Sequence, residues 1–219
     1  FKKLTYLAKM YNQFSENNTK YYLAPGIKII LIVNLLIFLI LEISNFNHIC
    51  INVFGLNPAN IYKNKTIWQI FTYLFLHGNI LHIFFNMLML WLFGNSLEKR
   101  WGKNKFLFFY FLCGSGAGLV SAIVQLHSDT IIIGASGAIY GVLIAYGFLF
   151  PNRLIFLYGL FPIQVKYIIF LLAFISFTSS MFVLESTISH ITHLAGMAIG
   201  LSYVLYDKRT LIYSARRDN

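Results

Sequence analysis

Gly134-Ala135-Ser136-Gly137-Ala138-Ile139-Tyr140-Gly141 opens an apolar stretch that runs on to Phe150. A serine in such a setting is costly, because lipid offers its hydroxyl no water and a partner must be found inside the protein. Gly137 and Gly141 are four residues apart and share a helix face, the small-x-x-x-small spacing that lets two membrane helices touch closely. A second polar island lies downstream. His193, Gly196 and Gly200 stand at i, i+3 and i+7, within one helical stripe. Two glycine-lined faces, one tied to a serine and one to a histidine, point to an all-α protein whose helices pack inside a bilayer.

The rest of the chain agrees with that reading. Of 219 residues, 58% are hydrophobic and only 11% charged, against roughly a quarter charged in soluble domains. A helix needs about 20 apolar residues to cross the hydrocarbon. Six stretches qualify as spans: Ile27–Ile43, Ile80–Asn95, Phe106–Gln125, Ala135–Phe150, Tyr167–Leu184 and Ile191–Tyr206. Pro25 and Gly26 precede the first, Pro151 stops the fourth, and Pro162 lies in the loop before the fifth. The fourth is short and is expected to begin below the membrane surface. The expected organisation is an amino-terminal segment 1–26, a six-span domain 27–206 and a tail 207–219.

The net charge of +10 does not indicate nucleic acid, because the basic residues sit beside the spans. Lys2, Lys3, Lys9 and Lys20 precede the first span. Lys99, Arg100, Lys103 and Lys105 follow the second, Arg153 and Lys166 follow the fourth, and Lys208, Arg209, Arg216 and Arg217 follow the sixth. The alternate loops hold only Lys63 and Lys65. Both termini are therefore expected in the cytoplasm, with Ser136 and His193 toward the outer half. Phe1–Lys20 is polar and basic without an apolar core, so no cleavable signal peptide is expected. Cys113 falls in an apolar span and Cys50 in a loop, so neither a disulfide framework nor a metal knuckle is expected. The first outer loop, Ser44–Asn79, carries Phe54, Leu56, Ile67, Trp68, Ile70 and Phe71, and is expected to lie in the interface or pack on the bundle.

Each polar residue has a plain reading and a chemical one. Ser136 either bonds back to a carbonyl in a packing seam or acts as a nucleophile at a helix amino terminus, where free N–H groups favour a developing oxyanion. His193 is either an interface residue or the base that reaches Ser136 once the glycine faces meet. His82 and Asn86, at i and i+4, are either a polar pair bridging helices or two donors for an oxyanion. Tyr140, one turn after Ser136, is either an ordinary core aromatic or the ring that orients the His193 imidazole. No His-Glu-x-x-His run exists, and Asp129, Asp207 and Asp218 all lie outside the apolar centres, so neither a metal nor an aspartyl mechanism is expected. No cofactor is implied.

Taken together these residues resemble the rhomboid intramembrane serine proteases. His77-Gly78-Asn79-Ile80-Leu81-His82-Ile83-Phe84-Phe85-Asn86 resembles the family's His-x-x-x-x-His-x-x-x-Asn segment. Glu98-Lys99-Arg100-Trp101-Gly102 resembles the basic turn that follows it. Gly134–Gly141 is similar to the Gly-x-Ser-Gly nucleophile helix, and His193-Leu194-Ala195-Gly196-Met197-Ala198-Ile199-Gly200 to the base helix. The resemblance implies a six-transmembrane-helix rhomboid-like bundle. It implies Ser136 as nucleophile, His193 as base, and His82, Asn86 and the Ser136 N–H as the oxyanion hole. Tyr140 would stack beneath His193, with Gly134, Gly137, Gly141, Gly196 and Gly200 in support.

The substrates implied are single-span membrane proteins cut near the outer face, with the lipid bilayer as the other partner and no nucleic acid. The fifth span would be a lateral gate beside the second. The first loop departs from the family: many rhomboids carry Trp-Arg where this chain reads Trp68-Gln69, which puts loop anchoring by an arginine in doubt. His190 is an extra histidine at the mouth of the site and is expected to perturb the pH profile. The other function considered is a catalytically inactive rhomboid-like protein that binds membrane clients; such proteins typically lack the serine or histidine kept here. A transporter or channel has little support, with no inverted repeat and no buried charge path. The bias toward Asn, Ile, Lys, Phe and Tyr and the minimal span count suggest a bacterial inner membrane.

Overall fold

The computed structural model describes residues 23–44, 46–157, 161–182 and 190–207. The amino-terminal and tail lysines and arginines named above, and the last two residues of the expected fifth span, lie outside these. The first helix, α1 (Pro25–Ser44), starts with proline, whose fixed φ suits a first helical position. Its large side chains divide by face. Ile27 and Ile30 are buried, whereas Ile29, Ile32, Leu36, Leu39, Ile40 and Ile43 stand exposed as an apolar stripe. The first loop is built of α2 (Asn47–Phe54), α3 (Pro58–Asn64), α4 (Gln69–Thr72) and a 3-10 turn, Tyr73–Phe75. It packs on the bundle, with Leu56, Tyr73 and Leu74 fully buried, while Phe46, Ile49, Val53 and Phe54 face outward.

Next come α5 (Ile80–Met89), a wide turn at Leu90–Gly94 and α6 (Asn95–Trp101), continuous as one rod from Ile80 to Trp101. Then follow α7 (Lys103–Val124), α8 (Ser136–Leu149), α9 (Val165–Phe182) and α10 (His190–Tyr206). Three helices among the described residues are long and apolar enough to cross a membrane: Pro25–Ser44, Ile80–Trp101 and Lys103–Val124. Ser136–Leu149 and Val165–Ile175 are shorter apolar helices. The short fourth segment is the most enclosed, with Ala138, Val142 and Ala145 fully buried and α7 and α10 packed against it.

The all-helical expectation needs one correction. The connection before α9 is an antiparallel hairpin of β1 (Leu154–Leu157) and β2 (Phe161–Gln164), with Leu154 opposite Gln164 and Phe156 opposite Pro162. Four-residue runs of branched and aromatic residues suit a pleated ribbon, and proline is tolerated where a strand has a free edge.

At the end of the bundle where this hairpin emerges, polar groups join the helices. The buried Glu98 carboxylate accepts from the Gly26 and Ile27 N–H groups, both at 2.7 Å, and so caps α1 from another helix. Asn95 Oδ1 accepts from Ala24 N at 2.8 Å. Arg153 donates to Ser96 Oγ and the Tyr146 hydroxyl, and Lys105 pairs with Asp207 to tie α7 to the end of α10.

Candidate active site

The segment entering α8 is held from the first loop. Leu56 and Ile132 exchange backbone hydrogen bonds of 2.9 and 2.8 Å, and Gly134 N donates to Tyr73 O at 2.9 Å. The Tyr73 hydroxyl in turn donates to Gly114 O on α7 at 2.8 Å. Burial pushes the Tyr73 phenol up, so it stays a neutral donor. Gly134 has φ +115°, a conformation that L side chains rarely adopt. A Cβ there would also lie 2.6 Å from His82 Nε2. The glycine therefore turns the chain into α8 and makes room for the imidazole facing it.

Gln69 explains how the loop holds without an arginine. Its amide is buried, accepting from Asn57 N and Thr66 Oγ1 at 3.1 Å each and donating to Val53 O at 3.2 Å. A neutral side chain with both donor and acceptor ends satisfies three strands of the loop at once.

Across the bundle, α10 meets α8 backbone to backbone. A Cβ on Gly196 would lie 2.0 Å from Gly137 O, and one on Gly200 would lie 2.8 Å from the Gly141 Cα and O. That approach brings His193 Nε2 to 2.8 Å from Ser136 Oγ, the first residue of α8. The Tyr140 ring stacks on the His193 imidazole, centroids 4.1 Å apart and planes 9° from parallel. Among the described residues, His193 Nδ1 is buried with no hydrogen-bond partner.

His82 and Asn86 share the inner face of α5. Asn79 caps that helix, its Oδ1 accepting from His82 N at 2.8 Å, which fixes His82 in the first turn. Asn86 is buried and its Nδ2 has no partner. That nitrogen lies 3.6 Å from the position of a Cβ on Gly134, so both side chains converge on the turn before Ser136. His77, the first histidine of the same segment, packs edge-on against His82 at 5.1 Å with both ring nitrogens unpartnered. Burial, followed by the nearby His82, holds the His77 imidazole well below its usual range, at about 3. His190 sits edge-on to His193 at 6.0 Å. No group of three or more His, Cys, Asp or Glu among the described residues could hold a metal ion.

Two polar residues of this region carry no motif signal. Thr192, next to His193, and Ser121 on α7 are both buried, their hydroxyls 2.7 Å apart.

Residues 64–210, well over half of the chain, match the rhomboid domain. The chain belongs to the rhomboid family. It is 36% identical over 155 residues to the putative rhomboid protease YdcA of Bacillus subtilis, covering 68% of this chain and 73% of that one. Rhomboid protease GluP of the same organism is 32% identical over 126 residues, 56% of this chain but only 24% of its own length. RHOMBOID-like protein 5 of Arabidopsis thaliana is 34% identical over 76 residues, 35% of this chain and 25% of that protein. Family and apolar helices together make this rhomboid a multi-pass membrane protein.

Proposed function

We propose that this rhomboid is an intramembrane serine endopeptidase that cuts single-span membrane proteins near the outer face with a Ser136–His193 dyad. The observation that carries the reading is the 2.8 Å contact between Ser136 Oγ and His193 Nε2 at the amino terminus of α8. The relatives named as rhomboid proteases add support.

His193 Nε2 takes the hydroxyl proton as Ser136 Oγ attacks the carbonyl carbon of the scissile bond. His82, the Asn86 amide and the Ser136 N–H stabilise the resulting oxyanion. Collapse expels the amine, which receives the proton from His193 and leaves an acyl-enzyme. Water, activated by the same imidazole, releases the acid and restores the serine. A helical substrate must unwind first, because its peptide groups are bonded internally. The domain responsible spans residues 27–206 as six membrane helices, flanked by cytoplasmic segments 1–26 and 207–219, in a bacterial inner membrane. The fifth span beside the second is the route of substrate entry.

The test is cleavage of a model single-span substrate in proteoliposomes, with Ser136→Ala and His193→Ala alongside. Both variants should be inactive, and a fluorophosphonate should label wild-type Ser136 only. Cleavage that survives either substitution would sink the dyad.

A further inference from the structure

We propose that Thr192 and Ser121 form a positioning pair that sets the rotation of α10 and thereby aims His193 at Ser136. The inference rests on the protease reading above.

The argument begins with what the glycine seam leaves undetermined. Gly196 and Gly200 press their backbones on Gly137 and Gly141. Such contacts fix how close α10 comes to α8. They present no side chains to interlock, so they do little to fix how α10 is turned about its own axis. Rotation matters here because His193 lies in the first turn of α10, which begins at His190. A few degrees of roll would swing the imidazole away from the serine. Among the described residues no group bonds its Nδ1 from behind. The Tyr140 ring limits tilt on one face but leaves sliding within the ring plane open.

Further along α10, Ile199 rests on Gly116, Tyr203 packs on Phe109 and Asp207 pairs with Lys105; Thr192 supplies the restraint in the turn that carries His193. It is one residue, about 100° around the helix, from His193. Its hydroxyl bonds to Ser121 on α7 at 2.7 Å, with both residues buried. Its methyl group points the other way: a Cβ on Gly137 would lie 2.9 Å from Thr192 Cγ2. One side chain thus bonds α7 and rests on α8 beside the nucleophile. Both side chains are buried, so the bond is directional and costly to lose. Ser121 sits on a helix further held to the site by the Tyr73 bond to Gly114.

The experiment compares Thr192→Val, Thr192→Ser, Ser121→Ala and the Val/Ala double variant with wild type in proteoliposomes. The readouts are kcat, KM, the rate of Ser136 labelling by a fluorophosphonate, and thermal stability. Misplacing a reacting group by about 1 Å can lower a rate on the order of 100-fold. Thr192→Val, which keeps the shape and loses the hydroxyl, should lower kcat and the labelling rate about tenfold or more. KM should stay within about twofold, since substrate binding is untouched. Thr192→Ser, which keeps the hydroxyl, should retain most of kcat. The double variant should be no worse than the worse single one.

Equal kcat in wild type and Thr192→Val, or losses that multiply in the double variant, would overturn the pair while leaving the protease intact. Lower thermal stability with unchanged kcat per folded molecule would also overturn it, because that is what a structural bond alone predicts. An inactive, unlabelled wild type would bring down the protease reading and this pair with it.

Discussion

The two ends of the bundle are built from opposite uses of polar groups. At the hairpin end, polar atoms are spent on holding helices: Glu98 takes two backbone N–H groups of α1, Asn95 takes a third, and Arg153 reaches both Ser96 and Tyr146. At the serine end α8 and α10 meet by bare backbone contact, with the Ser121–Thr192 and Tyr73–Gly114 bonds beside it, and polar atoms are left over. Among the described residues, five of the eight buried side-chain atoms without a partner belong to His77, Asn86, His190 and His193. An unmatched buried donor is destabilising, about 1–3 kcal/mol. Of these atoms, Asn86 Nδ2 is the donor that the proposed oxyanion would use.

Substitutions can break this contrast in either direction. The largest effect should come from Gly196→Ala, whose added Cβ would meet Gly137 O at 2.0 Å. Neither backbone can yield locally, so α10 must move off α8, with a stability loss of about 3 kcal/mol and no measurable cleavage. Thermal unfolding and proteolysis of a model substrate check both halves. Asn86→Ala should separate function from stability. Removing one oxyanion donor lowers kcat by about 10²–10³, yet the variant should melt no lower than wild type, because the lost donor had no partner. A clear drop in melting temperature would mean that Asn86 is a structural strut.

Glu98→Ala should do the reverse at the other end. It strips two N–H groups of their acceptor, at about 1–3 kcal/mol for each left unmatched, while kcat per folded molecule stays near wild type. The mildest effect is the pH response of stability. The folded His77 imidazole protonates only near pH 3, against an ordinary value of 6.5. Its contribution is therefore intact above about pH 6.5 and is lost progressively as pH falls from there toward 3, because only the unfolded chain binds the proton in that window. With Phe filling the same space, the denaturation midpoints of wild type and His77→Phe should lie close together at pH 8 and separate at pH 5, where wild type falls below the variant.

Much of the helical layout could be read from hydropathy, because a bilayer demands long apolar runs with internally paired backbones. The stretch read as 27–43 is helical over Pro25–Ser44, and the one read as Phe106–Gln125 over Lys103–Val124. The hairpin is hidden in the sequence because two short, mainly apolar runs around Pro162 look like any loop at a membrane surface until they are seen to pair. Ser136, His193, His82 and Asn86 stood out because polar residues in apolar spans are expensive. Thr192 and Ser121 did not, since small hydroxyl residues are ordinary in membrane helices and bond back to their own carbonyls without consequence. Gln69 was noticed only as a departure from Trp-Arg. That it anchors three parts of the loop depends on which carbonyls and N–H groups fold around it.

The sequence by itself determined that this chain lives in a membrane, which helices carry the serine and the histidine, and that glycine faces accompany both. Those are properties of composition and of a 3.6-residue period, and they need no partner to be true. Tertiary structure alone decided that Gly196 lies on Gly137, that the imidazole stacks on Tyr140 at 4.1 Å, and that Ser121 bonds Thr192. A helix face can be read from spacing. Its roll and depth against a neighbour are set by contacts between residues far apart in the chain, and those contacts decide whether a serine and a histidine meet.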